Sequence, residues 1–378
     1  MTERPCGYAL NANATAADGP PVAPGTTIRG RGARSNISGR YEAFQREAFD
    51  DGWGDDAEMT SALRTTVLKD ASRSIIATNN SPDISFDQSI NPYRGCEHGC
   101  IYCYARPSHA YWGYSPGLDF ESVIFSKPEG AQLLEAFFNR PGYRAKPIVI
   151  GANTDAWQPV EKRLEITRDI LKVFARYNHP VSFITKSALV LRDLDILGPM
   201  AEQGLAKAAI SLTTLDRKLA RDMEPRAAAP HRRLKAIEGL ASAGLPVTVM
   251  MAPIIPALND REIEPLLKQA SEAGASSAGY VLLRLPMEIR DLFREWLAEK
   301  RPDAASRVMS LMREMRGGRD YDPTWMRRGR GQGPLAEMIS KRFRAAMKRY
   351  QLDIRQKELD FSRFRRPLGT AEQPGLFP

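Results

Sequence analysis

The sequence predicts an α/β fold: a partial six-unit β/α barrel with helical extensions at its N- and C-terminal ends. Two observations lead to this prediction. Between residues 86 and 286, short runs rich in β-branched residues alternate with stretches of helical periodicity, a pattern typical of parallel β/α units. The chain also has 378 residues and is 43% hydrophobic, which is enough for one large domain with additions.

Six short runs have the composition of buried strands. In β/α units of this kind, the functional loops lie at the C-terminal ends of the strands, so the residues that follow each run are the first candidates for a site. The six candidate strands span residues 86–90, 147–151, 181–185, 208–213, 247–251 and 279–283.

Helical periodicity fills the intervals between these runs. Apolar residues recur at helical spacing over residues 161–177, with charged residues on the other face. A second helix is expected over residues 233–243, because Gly244 is a typical residue for a helix end. A third helix is expected to begin at Asp260.

The regions outside the barrel have different compositions. Residues 1–40 are rich in Ala, Gly, Pro and Asn and are predicted to form a disordered tail. Residues 41–85 are interpreted as an N-terminal extension with a short helix. After the core barrel of residues 86–286, residues 287–352 are predicted to form a basic helical region and residues 353–378 a flexible tail.

Composition also limits the class of protein. No apolar stretch is as long as a membrane-spanning helix, and the N-terminus has no apolar signal-peptide core. The chain has four cysteines, and three of them fall within eight residues, which is unlike a secreted disulfide framework. We therefore expect a cytoplasmic protein, with no membrane partner, that binds a metal or a cluster in a reducing compartment.

The positive charge of the chain is concentrated near its C-terminus. Residues 301–366 contain 18 Lys or Arg and 8 Asp or Glu, a net charge of +10, whereas the whole chain carries +9. Such a region favours a polyanionic partner, DNA or RNA; the alternative is a solvated basic surface that only aids solubility. Within it, the Gly/Arg-rich residues 327–333 are suited either to phosphate binding or to the role of a mobile connector.

Cys96, Cys100 and Cys103 form a C-x3-C-x2-C motif on a loop just after a candidate strand. Three thiolates can hold three irons of a [4Fe-4S] cluster, and the fourth iron then keeps an open coordination position. A structural zinc site or a ferredoxin-type site needs a fourth ligand. Cys6 lies in the predicted disordered tail and His98 lies inside the loop itself, so the open cluster is favoured.

The segment that carries this motif reads NPYRGCEHGCIYCYARP, with an aromatic residue, Tyr102, before the last cysteine. It resembles the signature of the radical SAM superfamily. With NTDAWQPVE, ITKS and ISLTTLD further along, it is similar to the branch of spore photoproduct lyase and its DNA repair photolyase-like relatives. The resemblance implies two cofactors, a [4Fe-4S] cluster and S-adenosylmethionine (SAM), and cleavage of SAM to a 5′-deoxyadenosyl radical. It also places Tyr102 among the cofactor-binding residues.

The same resemblance implies the contacts with SAM. Lys186 in ITKS and Ser211 in ISLTT match positions that contact polar groups of SAM, and a lysine suits its carboxylate; an ordinary exposed lysine is the alternative. Asn153, Thr154 and Asp155 occupy the loop where many members carry Gly-Gly-Glu for the SAM amine. That motif is absent here, and Asp155 is equally suited to cap the following helix.

The cofactors alone do not define the substrate. Spore photoproduct lyase uses a further cysteine as hydrogen-atom donor, but no cysteine follows Cys103 here, so the same thymine-dimer repair is not implied. Nucleic-acid repair or modification is favoured. One alternative is a peptide or small-metabolite substrate; another is a non-catalytic iron–sulfur or zinc protein that binds nucleic acid.

Two further partners are expected. Cleavage of SAM needs an electron donor such as flavodoxin or ferredoxin. Near the C-terminus, Gln373, Leu376 and Phe377 resemble the short peptides that dock on bacterial sliding clamps. A tail that folds back on the domain is the alternative.

Overall fold

The computed structural model describes residues 30–41, 63–354 and 356–367. All six predicted strands are present in these ranges. The strands are β1 Thr66–Lys69, β2 Ile76–Thr78, β3 Gln88–Ile90, β4 Tyr93–Arg94, β5 Val123–Ser126, β6 Ile148–Ile150, β7 Val181–Thr185, β8 Ala206–Ser211, β9 Val247–Ile254 and β10 Ser277–Leu282.

Seven strands form the main sheet, in the order β10-β9-β8-β7-β6-β3-β2. The six predicted strands pair in parallel, and β2 is added antiparallel to β3. In β7 and in most of β9, buried residues alternate with less buried ones, as expected when one face of the strand lies against the core. The partial six-unit β/α barrel is confirmed, and β10 and β2 are the edges of its sheet.

Helices follow the strands as predicted, with local differences. The helix expected over residues 161–177 is interrupted, because Glu165 adopts a left-handed conformation with φ of 53°. The helices are α1 Asp119–Ser122, α2 Gly130–Phe138, α3 Glu161–Leu164, α4 Ile166–Arg176, α5 Leu194–Glu202, α6 Arg217–Met223, α7 Pro230–Ser242, α8 Ile263–Glu272, α9 Ile289–Lys300, α10 Pro302–Glu314 and α11 Pro334–Arg349.

The described part of the N-terminal extension, residues 63–85, contains two short strands; residues 42–62, where the expected short helix could also fall, lie outside the described residues. β1 has the sequence TVLK and pairs in parallel with β5, with Thr66 opposite Val123. β4 completes this second sheet on the other side of β5. Pairing with distant strands decides the conformation of residues 66–69 and 76–78, and short-range periodicity does not show it.

Parts of both predicted tails are packed in the structure. Ala33 is only 1% exposed, although residues 1–40 were expected to be disordered. In the region predicted as a flexible tail, the ring of Phe364 packs edge-on against Phe138 and Arg366 donates to the Phe138 carbonyl, at 3.1 Å. Long-range contacts order these polar segments. Residues 1–29 and 368–378, with Cys6 and the clamp-like peptide, lie outside the described residues.

The C-terminal region is helical, as predicted, and consists of α9, α10 and α11. α11 packs on α8, and its cationic residues lie mostly on the opposite face. None of the helices in the described ranges is long and apolar enough to cross a membrane.

Candidate active site

The cysteine loop follows β4, close to the C-terminal end of β3. Cys96 and Cys100 are buried, Cys103 is partly exposed, and all three thiols are free. The loop turns at Gly99, whose φ of 66° lies in the left-handed region. A Cβ atom there would lie 2.6 Å from an oxygen of Glu121, so both the conformation and the space require glycine.

A buried ion pair supports this loop from beneath. Arg106 and Glu121 pair with each other and are both 0% exposed. Arg106 also donates to the carbonyls of Cys100, at 2.9 Å, and Gly99, at 3.1 Å. Glu121 accepts hydrogen bonds of 2.8 and 2.7 Å from the backbone N–H groups of residues 32 and 33. The pair therefore joins the cysteine loop to the N-terminal segment.

A second buried network anchors Tyr102. Its hydroxyl donates to Glu224 and lies 3.2 Å from the Thr213 hydroxyl. Glu224 pairs with Arg233, which donates to the carbonyl of Ser211 at 3.0 Å. The hydroxyl of Tyr102 is thus hydrogen-bonded within the protein, and the ring of Tyr102 is the part that faces the site.

Lys186 lies at the end of β7, on the same side as the cysteine loop. Its ammonium nitrogen is 5.8 Å from the centroid of the Tyr102 ring, a cation–π contact. The Lys186 backbone N–H donates to Asp155 at 2.7 Å. Lys186 and Tyr102, both predicted to bind the cofactor, are therefore brought together by the fold.

Asp155 braces the ends of two strands and does not cap the following helix. Its carboxylate accepts from the Thr185 hydroxyl at 2.7 Å and lies 3.4 Å from Nδ1 of His98. Burial opposes ionisation, but the neighbouring His98 ring and these donors hold the pKa of Asp155 at about 2. The N-cap position of α3 is Val160, which makes no side-chain cap.

The two residues before Asp155 have different environments. The Thr154 side chain is buried, and its hydroxyl donates to the carbonyl of Tyr93 at 2.6 Å. Asn153 is exposed, and its backbone N–H donates to Asn91 at 2.8 Å. Of the two, only Asn153 therefore keeps its side chain exposed.

Tyr104 extends the site towards solvent. Its ring is 50% exposed, and its hydroxyl donates to the carbonyl of Ala152. The guanidinium carbon of Arg284 lies 5.6 Å from the ring centroid. Among the described residues, Nε of Arg284 is buried without a hydrogen-bond partner. Neither residue was predicted from the sequence; the position of Tyr104 directly after Cys103 is the one signal that the sequence offers.

The donor set fits an iron–sulfur cluster. Three free thiols lie on one loop, and thiolates are the ligands that such clusters prefer. In the part of the chain that the structure describes, no three His, Cys, Asp or Glu side chains surround the position of a single metal ion. The site has three thiols, an aromatic ring and a cation at the C-terminal ends of parallel strands.

This fold and this site define a radical SAM enzyme. The chain belongs to the radical SAM superfamily, whose family profile matches residues 90–270. The family implies a [4Fe-4S] cluster and SAM as cofactors and requires a reductant. When bound, these cofactors supply one electron from the reduced cluster to SAM and so generate a 5′-deoxyadenosyl radical.

Several relatives are similar to this chain. An uncharacterised protein of Mycobacterium tuberculosis is 36% identical over 236 residues, which cover 62% of this chain and 69% of that protein. An uncharacterised protein of Methanocaldococcus jannaschii is 30% identical over 173 residues, 46% of this chain and 62% of that one. A solved structure of spore photoproduct lyase, a mutant with bound AdoMet and dinucleoside spore photoproduct, has a TM-score of 0.53 and 16% identity. That match covers 75% of this chain and 78% of the lyase, and it shows a shared fold.

Proposed function

We propose that this enzyme holds its cluster through Cys96, Cys100 and Cys103 and acts on a nucleic acid bound by the basic C-terminal region. The main support for a nucleic-acid substrate is a row of exposed cations on α11 that form no ion pair with the described residues. The similarity in fold to spore photoproduct lyase, solved with bound dinucleoside spore photoproduct, supports a nucleotide-containing substrate.

The cations of α11 are presented by packing on its other face. Ile339 and Phe343 are buried where α11 meets α8. Lys341, Arg344 and Lys348 are exposed, and among the described residues none of them forms an ion pair. No acidic residue occurs between residues 338 and 352. Such a face attracts phosphates at low energetic penalty, because no partner has to be displaced.

The residues of the site have distinct proposed tasks. Lys186 donates to the carboxylate of SAM, and the Tyr102 ring beneath it restricts its position. Asp155 fixes the backbone of Lys186, and Asn153 offers an amide to the amino acid portion of SAM. Ser211, buried at the end of β8, completes the proposed set of SAM contacts.

The proposed reaction after SAM cleavage differs from that of spore photoproduct lyase in one respect. The cysteine that serves there as hydrogen-atom donor has no counterpart after Cys103 in this chain. We therefore propose that the 5′-deoxyadenosyl radical abstracts a hydrogen atom from a nucleotide, which is repaired or modified as a result. A hydrogen atom returned to that nucleotide then comes from a group other than a cysteine after Cys103.

Neutralising the α11 cations tests the nucleic-acid proposal. We expect the triple variant Lys341→Gln/Arg344→Gln/Lys348→Gln to bind DNA or RNA more weakly. Because each phosphate contact releases a counterion, the slope of log affinity against log salt should become shallower by up to about 2.7 on duplex DNA. Fluorescence anisotropy of labelled oligonucleotides over a salt titration measures both quantities.

A control with the same change in net charge removes three cations elsewhere. Lys162, Arg163 and Lys172 are exposed on α3 and α4, which follow β6, far along the sheet from β10. Substituting these three with Gln changes the net charge equally and should leave the slope unchanged. Equal effects of the two triple variants, or no binding by the wild type, would contradict the proposal.

A further inference from the structure

A short segment joins the two edges of the main sheet. Residues 325–331, here called the strap, lie between α10 and α11. On one side, the N–H of Leu282 in β10 donates to the carbonyl of Gly329 at 2.9 Å. On the other side, Arg328 pairs with Asp83, in the loop between β2 and β3, and donates to Ser81 at 2.6 Å. The strap therefore crosses the open side of the partial barrel.

The strap is also connected to the cysteine loop through charged and aromatic neighbours. Burial opposes ionisation of Asp83, but hydrogen bonds from the Met326 N–H and from Arg328 lower the pKa of its carboxyl, and the charge of Arg284, which follows β10, lowers it further. The same guanidinium stacks on Tyr104, directly after Cys103. The charge of Arg284 thus acts on the carboxylate that holds the strap, and its guanidinium contacts the tyrosine beside the proposed cluster site.

The outer face of the strap is apolar and cationic. Trp325 is 51% exposed and Met326 is 65% exposed, although both are large hydrophobic residues. Arg327 and Arg330 are exposed beside them, and the strap contains no acidic residue. Surfaces that bind single-stranded nucleic acid combine these two features, since bases stack on aromatic rings and phosphates lie against cations.

We propose that the strap surface, which comprises Tyr104, Arg284 and the strap, binds an unpaired segment of nucleic acid at the open side of the barrel. A base stacks on Trp325, and the backbone phosphates lie against Arg327. An unpaired segment suits this surface because a base inside a duplex has both faces covered by its neighbours. This inference rests on the proposed function and deepens it: the substrate nucleotide is presented outside a duplex.

The test uses the anaerobically reconstituted holoenzyme and fluorescein-labelled oligodeoxythymidylate, with the corresponding oligouridylate and a DNA duplex as separate arms. We expect the single strands to bind more tightly than the duplex. Trp325→Ala should weaken single-strand binding roughly tenfold, the effect of losing one stacked base. Trp325→Phe should retain most of the affinity, because the phenyl ring still stacks.

Charge on the strap has its own matched pair of variants. Arg327→Gln should weaken single-strand binding and reduce its salt dependence by about one phosphate contact. Arg307→Gln removes an exposed cation from α10 and should change neither quantity. Thermal midpoints of all variants show whether the fold is retained, which we expect because both strap side chains are exposed.

Three outcomes would overturn the inference, and they are distinguishable from one another. If the wild type binds neither single strands nor duplex, the proposed function fails and the strap inference falls with it. If the wild type binds but Trp325→Ala equals Trp325→Phe, the stacking site is wrong while the proposed function stands. If the duplex binds as tightly as the single strands and only the α11 variant loses binding, the substrate is bound as a duplex on α11.

Discussion

A Cys100→Ala variant is expected to form no 5′-deoxyadenosine after anaerobic reconstitution with iron and sulfide and addition of dithionite and SAM. The wild type should form this product under the same conditions. The physical reason is the number of ligands. Three thiolates bind three of the four irons and leave one open for SAM, so the loss of Cys100 leaves two irons without a protein ligand. Liquid chromatography of the product, with iron and sulfide contents and the visible absorption of the cluster, measures the effect.

The chain offers a matched control in its fourth cysteine. Cys6 lies outside the C-x3-C-x2-C motif, so Cys6→Ala should assemble a cluster and form 5′-deoxyadenosine as the wild type does. A cluster of unchanged stoichiometry in Cys100→Ala would show that another residue is a ligand. A wild type that assembles a cluster but never cleaves SAM would favour the non-catalytic alternative.

The sequence predicted the strands best, because the spacing of apolar residues along a strand follows the period of the strand itself. The third candidate strand, residues 181–185, coincides with β7, and the other parallel strands differ by at most three residues at either end. Strands with a face against the core favour β-branched and other apolar residues, and this composition is visible without tertiary information. The cysteine motif was visible for a similar reason, because all three thiols belong to one loop.

The supports of the site were not visible in this way. Glu121 and Glu224 become important because folding brings them under the cysteine loop, from positions 18 or more residues away from Cys103. A buried carboxylate has no local sequence signature, since its neighbours along the chain do not reveal its partner. The order of residues 30–41 was missed for the same reason, because their contacts are with residues such as Glu121, far along the chain.

The Gly/Arg-rich residues 327–333 show how a structure separates alternatives that composition leaves open. A mobile connector and a phosphate-binding turn have the same residues. In the structure, Gly329 is bonded to β10 and Arg328 to Asp83, and the N–H of Gln332 donates to the carbonyl of Met315 at 3.0 Å. These long-range contacts fix the segment in place and favour a defined surface over a connector.

Removing the positive member of the pair beneath the cysteine loop should have the largest effect on stability. Arg106→Met leaves the Glu121 carboxylate buried without its charged partner and leaves carbonyls of the cysteine loop without a donor. Breaking a buried ion pair in this way costs about 3–5 kcal/mol. We expect a corresponding decrease in the free energy of unfolding in urea and faster loss of the reconstituted cluster.

The control for Arg106→Met is an exposed pair of the same chemistry. Arg176 pairs with Glu135 on the surface, and both side chains are at least one third exposed, so Arg176→Met should cost at most about 1 kcal/mol. Adding Glu121→Gln to Arg106→Met removes the unpaired charge and should restore part of the lost stability. If Arg106→Met is as stable as Arg176→Met, the pair of Arg106 and Glu121 does not support the cysteine loop. If the double variant regains stability but still loses its cluster quickly, the arginine acts through the loop carbonyls, because those are the contacts that the second substitution leaves unrepaired.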